Sequence, residues 1–137
     1  MATITEDYCS YEVAQLLKEK GFDEPTTGTY YKDGAFEHLS LNKWNSKFIM
    51  PISAPTIQMA MKWLREMHKL VITVSIGNEN NKGNTDYSNP DRWFYFFDIT
   101  NAKGVVIDTE YDPLSNEFPT YEQAAEAGIK YCLDNLI

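Results

Sequence analysis

The sequence predicts an α+β domain in which three helices pack on a small, mainly antiparallel sheet of three to five strands. Apolar residues recur at helical spacing in three segments, and they alternate with polar residues in others. The chain has 137 residues, of which 43% are hydrophobic and 14% aromatic, and this is enough to form one hydrophobic core. We therefore expect residues 1–137 to form a single domain.

Capping residues and apolar spacing delimit the predicted helices, which cover residues 11–20, 55–68 and 121–136. Ser10 can accept a hydrogen bond from the first turn of the first helix, and Gly21 can adopt the left-handed conformation that ends it. Thr120 and Gln123 form a capping box at the start of the last helix. Small residues on the inner face of that helix would let it lie close to the sheet.

Alternating side chains predict the strands in the second half of the chain. Residues 70–76 are typical of a half-buried strand, and residues 93–99 and 103–108 predict a hairpin. Along residues 93–99, aromatic side chains project to both faces of the strand. Both faces therefore require cover, either from helices of this chain or from a second copy of it.

Two further regions are predicted to lack helices. Short extended pieces are expected near residues 29–36 and at residues 47–50. Residues 77–91 are rich in asparagine and other polar residues, so this segment is predicted to be a mobile loop.

The net charge of −8 is unevenly distributed. Residues 1–37 carry 8 acidic and 3 basic residues, residues 38–76 carry 1 and 5, and residues 77–137 carry 11 and 4. Because the five basic charges of the middle third are scattered, the charge pattern argues against direct nucleic-acid binding. The acidic outer thirds leave a weaker alternative, in which the protein is an acidic inhibitor of a nucleic-acid enzyme.

The sequence favours a cytoplasmic protein without membrane contact. No apolar run is long enough to cross a bilayer, and the first residues lack the features of a signal peptide. In a reducing compartment Cys9 and Cys132 are expected to be free thiols, with Cys132 in the core.

Motifs that carry enzyme chemistry are not found. The sequence has no phosphate-binding loop, no dinucleotide-binding turn, no paired CxxC and no HExxH, so no catalytic residue, metal ligand or cofactor is predicted. Cys9 lies at the predicted start of the first helix, where the helix dipole would lower its pKa. A nucleophilic role would need a nearby base, and the sequence places neither His38 nor His68 beside it, so a non-catalytic protein is favoured.

Two apolar surfaces are larger than a chain of this size is expected to bury. Met67 belongs to the apolar stripe of the second helix that is predicted to be buried, Met59 and Trp63 widen that stripe, and Trp93 and Tyr95 lie on the two-sided strand. These five residues are the predicted interface, and they raise the hypothesis of a homo-oligomer or of a protein partner that the sequence does not identify.

Three segments of the chain resemble known sequences: EVAQLLKEKGFD at 12–23, APTIQMAMKWLRE at 54–66, and YEQA at 121–124 with IKYCL at 129–133. Together they resemble small uncharacterised proteins encoded by phages, prophages and mobile elements of gut anaerobic bacteria. The resemblance lies on predicted helices. It implies a genomic setting and no catalytic residue.

These observations favour a non-catalytic accessory protein of phage or mobile-element type that acts through protein contacts. The alternative from a different class is a small-molecule binding domain, or a small enzyme, with a pocket lined by tyrosine and tryptophan. The first hypothesis predicts an exposed apolar patch. The second predicts a closed cavity with convergent polar groups and a perturbed titratable residue.

Overall fold

The computed structural model describes residues 3–78, 93–109 and 117–137. Within these ranges the chain forms four helices and five strands, in the order α1 (Tyr11–Glu19), β1 (Thr26–Tyr30), β2 (Phe36–Asn42), α2 (Trp44–Lys47), β3 (Ile52–Ser53), α3 (Ile57–His68), β4 (Val71–Asn78), β5 (Trp93–Thr100) and α4 (Tyr121–Asn135). The α+β class is confirmed.

The strands form two small antiparallel sheets where the sequence predicted one. The first sheet has the order β2-β1-β3, and the second contains β4 and β5. In the second sheet the two strands pair from Val71 opposite Thr100 to Asn78 opposite Trp93.

The second sheet packs on α4, as the small residues of that helix predict. Ile72 and Phe97 lie on the face of the sheet that meets the helix, and both approach Gly128. A Cβ atom at Gly128 would lie 2.9 Å from Cγ2 of Ile72 and 3.2 Å from Cδ2 of Phe97. This close approach lets α4 bury its inner face against the sheet.

One hydrophobic core joins α1, α3, α4 and the β4–β5 sheet. The core is built from apolar side chains that the three longer helices contribute at helical spacing. Its members include Val13, Leu17, Phe22, Ile57, Met61, Trp63, Leu64, Ile72, Ile99, Ile129, Cys132 and Leu133. The predicted core position of Cys132 is confirmed.

The caps of the long helices also agree with the sequence. The Oγ of Ser10 accepts a hydrogen bond from the backbone N–H of Val13, and the Oγ1 of Thr120 accepts one from the N–H of Gln123. Gly21 follows α1 with φ of 92°, which is the left-handed conformation that the sequence predicted. None of the described helices has the length and apolar character needed to cross a bilayer.

Three local predictions differ from the structure. Residues 47–50 were expected to be extended, but Lys47 ends the short helix α2. That helix is held by Trp44, whose indole N–H donates to the backbone oxygen of Thr26 at 2.9 Å. The second strand of the predicted hairpin is reduced to a single bridge between Val106 and Thr100. Of the predicted loop at 77–91, residues 77 and 78 belong to β4, and the remainder lies outside the described residues.

Lys69 ends α3 in a conformation that favours glycine. Its φ is 56°, and the backbone N–H groups of Lys69 and Leu70 both donate to the oxygen of Leu64. A side chain in the left-handed region is strained, so Lys69→Gly should stabilise the fold by about 0.5–1 kcal/mol. Urea denaturation would measure this gain, and an unchanged or lower stability would contradict it.

Candidate functional site

The outer face of α3 carries the first group of predicted interface residues. Met67 is 62% exposed and Met59 is 38% exposed, whereas Trp63 between them is only 5% exposed. The indole ring packs on Phe22, with ring centroids 5.5 Å apart, and on His68 at 4.7 Å. Trp63 is therefore a core residue whose edge reaches the surface between two exposed methionines.

These residues form a shallow depression that we call the methionine groove. Its volume is about 230 Å³, and its lining consists of Glu24, Met59, Lys62, Trp63, Glu66 and Met67. Met59, Trp63 and Met67 are four residues apart, so they form one stripe along the helix. Lys62 and Glu66, also four residues apart, form the adjacent stripe. Flexible methionine side chains around an indole edge are well suited to contact another protein.

The second predicted group lies on β5. Trp93 is 42% exposed, and Tyr95 is half-buried. The backbone N–H and oxygen of Tyr95 bond with those of Phe118, each at 2.9 Å, and its ring contacts Tyr121 at a centroid distance of 6.4 Å. The segment that leads into α4 therefore holds Tyr95 in place, and the exposed aromatic area on this strand belongs mainly to Trp93.

The first sheet carries an aromatic surface that was not predicted from the sequence. Five rings lie next to one another, with neighbouring centroids 4.9–5.5 Å apart. We call this surface the aromatic face, and it consists of Tyr8, Tyr11, Tyr30, Phe36 and His38. Phe36 and His38 are exposed, and the three tyrosines are half-buried.

Contacts between the N-terminal segment and the sheet build the aromatic face. The hydroxyl of Tyr30 donates to the backbone oxygen of Cys9 at 2.7 Å, and that of Tyr11 donates to the oxygen of Lys32 at 3.1 Å. Tyr8 lies over Gly28, where a Cβ atom would be 2.8 Å from its ring. The sequence signal was the closeness of Tyr8 and Tyr11, which lie on either side of the predicted helix cap Ser10.

Cys9 is buried and is not an activated nucleophile. Burial, followed by the nearby Glu126 carboxylate, raises the pKa of the Cys9 thiol far above its ordinary value. The expected lowering by the helix dipole is outweighed. Glu126 itself accepts a hydrogen bond from the backbone N–H of Ser10 at 2.7 Å, so it serves the start of α1. Burial, together with Cys9 and Glu126, also raises the pKa of Tyr30.

The alkaline stability of the protein should depend on its buried thiols. Burial raises the pKa of the Cys132 thiol to about 12, whereas a thiol in an unfolded chain ionises near pH 8.5. The stabilisation of the folded state by the protonated Cys132 thiol is thus fully present below about pH 8.5 and is lost as the pH rises towards 12. The slope is about 1.4 kcal/mol per pH unit for one thiol.

Urea denaturation between pH 8 and 11 would measure this loss. Cys132→Ala should lower stability at neutral pH but show a shallower alkaline decline than the wild type, because one titrating thiol is removed. Parallel declines in the two proteins would contradict the assignment.

Another groove lies between the start of α1 and α4, with a volume of about 360 Å³. Glu126 in this groove accepts from the backbone N–H of Ser10, and Glu12 and Lys130 pair with each other. The Nζ of Lys130 lies 3.0 Å from a carboxylate oxygen of Asp134 and 3.6 Å from one of Glu12. The groove is open to solvent. Carboxylates of the first and last thirds of the chain do meet here, as an acidic inhibitor would require, but Lys130 lies among them.

The described ranges therefore present exposed apolar and aromatic surfaces and open grooves. In those ranges no group of three His, Cys, Asp or Glu residues is arranged to hold a metal ion. The site residues named from the sequence lie on two elements, α3 and β5, and the aromatic face adds a third surface. Comparisons with known protein families, with characterised proteins and with solved structures give no match to this chain.

Proposed function

We propose that this protein is a non-catalytic accessory protein, of the type encoded by phages and mobile elements, that acts through protein contacts and self-associates through α3. The methionine groove is the observation that carries the proposal. Its apolar stripe is flanked by one basic and one acidic residue, Lys62 and Glu66, at helical spacing. The resemblance of three helical segments to phage and mobile-element proteins supports the genomic setting.

The groove is complementary to itself. When two α3 helices pack antiparallel about a two-fold axis that passes beside Trp63, Met59 of one copy approaches Met67 of the other. The same rotation brings Lys62 of one copy beside Glu66 of the other. Apolar contact is thus combined with two equivalent ion pairs at the rim.

The contact is short, so the dimer is expected to be weak. Nine residues of helix from Met59 to Met67 span about 12 Å. A contact of this length buries less area than the about 800 Å² per partner of a standard interface. We expect a dissociation constant in the micromolar range. Such an affinity suits an accessory protein whose assembly depends on its concentration.

A charge-swap series tests the geometry by sedimentation equilibrium. Lys62→Glu places four acidic groups at the two-fold interface, and Glu66→Lys places four basic ones there. Each variant alone should self-associate about tenfold more weakly than the wild type. An equimolar mixture of the two variants should form a mixed dimer, because opposite charges then face each other.

Arg65→Glu is the matched control for Lys62→Glu, since it makes the same charge change on α3 outside the two stripes of the groove. It should leave self-association within twofold of the wild type. If all three variants associate equally, or if the mixture is no better than its components, contact through the methionine groove is refuted.

A further inference from the structure

The outer edge of β2 has the features of a peptide-binding strand. In the sheet order β2-β1-β3, β2 is at the edge. The backbone N–H of Tyr31 donates to the oxygen of Ala35 at 3.0 Å. This bond establishes which residue pairs of β1 and β2 are hydrogen-bonded and which are not. Because this pattern alternates along an antiparallel pair, the N–H and C=O groups of Phe36 and His38 point away from β1.

A second hydrogen bond supports this assignment. Gly28 is the register partner of His38, and its backbone oxygen accepts from Ala54 on the opposite side of β1. The regular edge is short, because the β1–β2 register shifts between Gly28 and Thr26. Among the described residues, the edge of regular geometry that is left unpaired is thus centred on Phe36, Glu37 and His38.

The side chains of this edge differ between its two faces. Phe36 and His38 belong to the aromatic face, where Phe36 is 39% exposed. Glu37 alternates to the other face and is also exposed. A strand added here would gain backbone hydrogen bonds from Phe36 and His38, apolar contact on one face, and a carboxylate on the other.

The charge at the edge of β2 indicates which kind of strand can pair with it. Glu37 lies at the centre of the edge, and β2 contains no lysine or arginine. A second copy that paired Phe36 with His38 across a two-fold axis would set Glu37 against Glu37, which is unfavourable. An extended segment with a basic residue at that position would form a cross-strand ion pair.

We propose that the edge of β2 binds an extended segment of a partner protein, in which a basic side chain faces Glu37 and the neighbouring apolar side chains lie on the aromatic face. This surface is separate from the methionine groove. The protein would therefore have, besides its self-association surface, a second site that binds a different protein with a basic, extended segment.

Two synthetic peptides test this inference by ¹H–¹⁵N NMR titration. One is acetyl-Ser-Val-Arg-Val-Ser-amide, and the other has Glu in place of Arg. The arginine peptide should shift the amide signals of Phe36, Glu37 and His38 saturably and bind about tenfold more tightly than the glutamate peptide. Glu37→Lys should reverse this preference.

Variants at His38 distinguish the contribution of its backbone N–H to peptide binding from that of its imidazole ring. His38→Pro removes the outward N–H and should abolish binding, whereas His38→Ala retains that N–H and should lose only part of the affinity. Equal binding of the two peptides, or no shift at the three amides, would overturn the inference. Shifts that depend on protein concentration alone would also overturn it, because a second copy would then cover the edge. Because the titration reports on the amide signals of β2, a negative result would not bear on the proposed self-association through α3.

Discussion

Replacing Trp63 with alanine should destabilise the fold by about 3–5 kcal/mol. The indole is 5% exposed and packs edge-to-face on Phe22, so the substitution removes a large buried side chain and leaves a cavity. Domains of this size have a total stability of about 5–15 kcal/mol, and much of it would be lost. Urea denaturation followed by circular dichroism measures the change.

Met67→Ala is the matched control on the same stripe of α3. Because Met67 is 62% exposed, its replacement should change the free energy of unfolding by no more than about 0.5 kcal/mol. A Trp63→Ala variant as stable as Met67→Ala would place Trp63 outside the core. The comparison also shows that Trp63 is unsuited to probing an interface, because its loss damages the fold itself.

Gly28→Ala should destabilise the fold by about 3 kcal/mol. A Cβ atom at this position would lie 2.6 Å from the backbone oxygen of Ala54 and 2.8 Å from the ring of Tyr8. Ala54 is hydrogen-bonded to Gly28, so its oxygen cannot move away without disturbing the β1–β3 pairing. Thermal unfolding would measure the loss.

Thr27→Ala, at the adjacent exposed position, is the control and should alter stability by less than about 0.5 kcal/mol. If Gly28→Ala were equally mild, the close approach of Tyr8 to the sheet would be wrong. NMR signals of the aromatic face should also shift in Gly28→Ala, because Tyr8 must move.

Local signals in the sequence predicted the long helices well. Ser10 and Thr120 accept the capping bonds that their positions imply, and the apolar spacing of α3 identifies most of its buried residues, whereas Met67 of the predicted stripe is 62% exposed. These features depend on residues within one or two turns of each other. The sequence therefore contains the information directly.

Features that depend on distant residues could not be predicted. The short helix α2 is held by the bond from Trp44 to Thr26, and the aromatic face needs Tyr8 to lie over Gly28. The pKa of Cys9 was predicted in the wrong direction for the same reason. Its position suggested the helix dipole, but its burial against other elements has the larger effect.

The exposure of the α3 residues of the candidate interface could be predicted only in part. Met59 and Met67 are exposed on α3, as a contact surface requires, while Trp63 between them is largely buried. Helical spacing alone places all three on one stripe, but it does not say where the boundary of the core falls. That boundary is set by Phe22, which follows α1 and packs on Trp63 from another part of the chain.

The solution mass over a range of concentrations tests the central claim most directly. Light scattering from about 5 to 500 µM should show the wild type passing from monomer to dimer, as the micromolar affinity requires. Met67→Glu should stay monomeric at every concentration while keeping the wild-type circular dichroism spectrum. A wild type that remains a monomer throughout, or a Met67→Glu variant that dimerises equally well, would contradict self-association through α3.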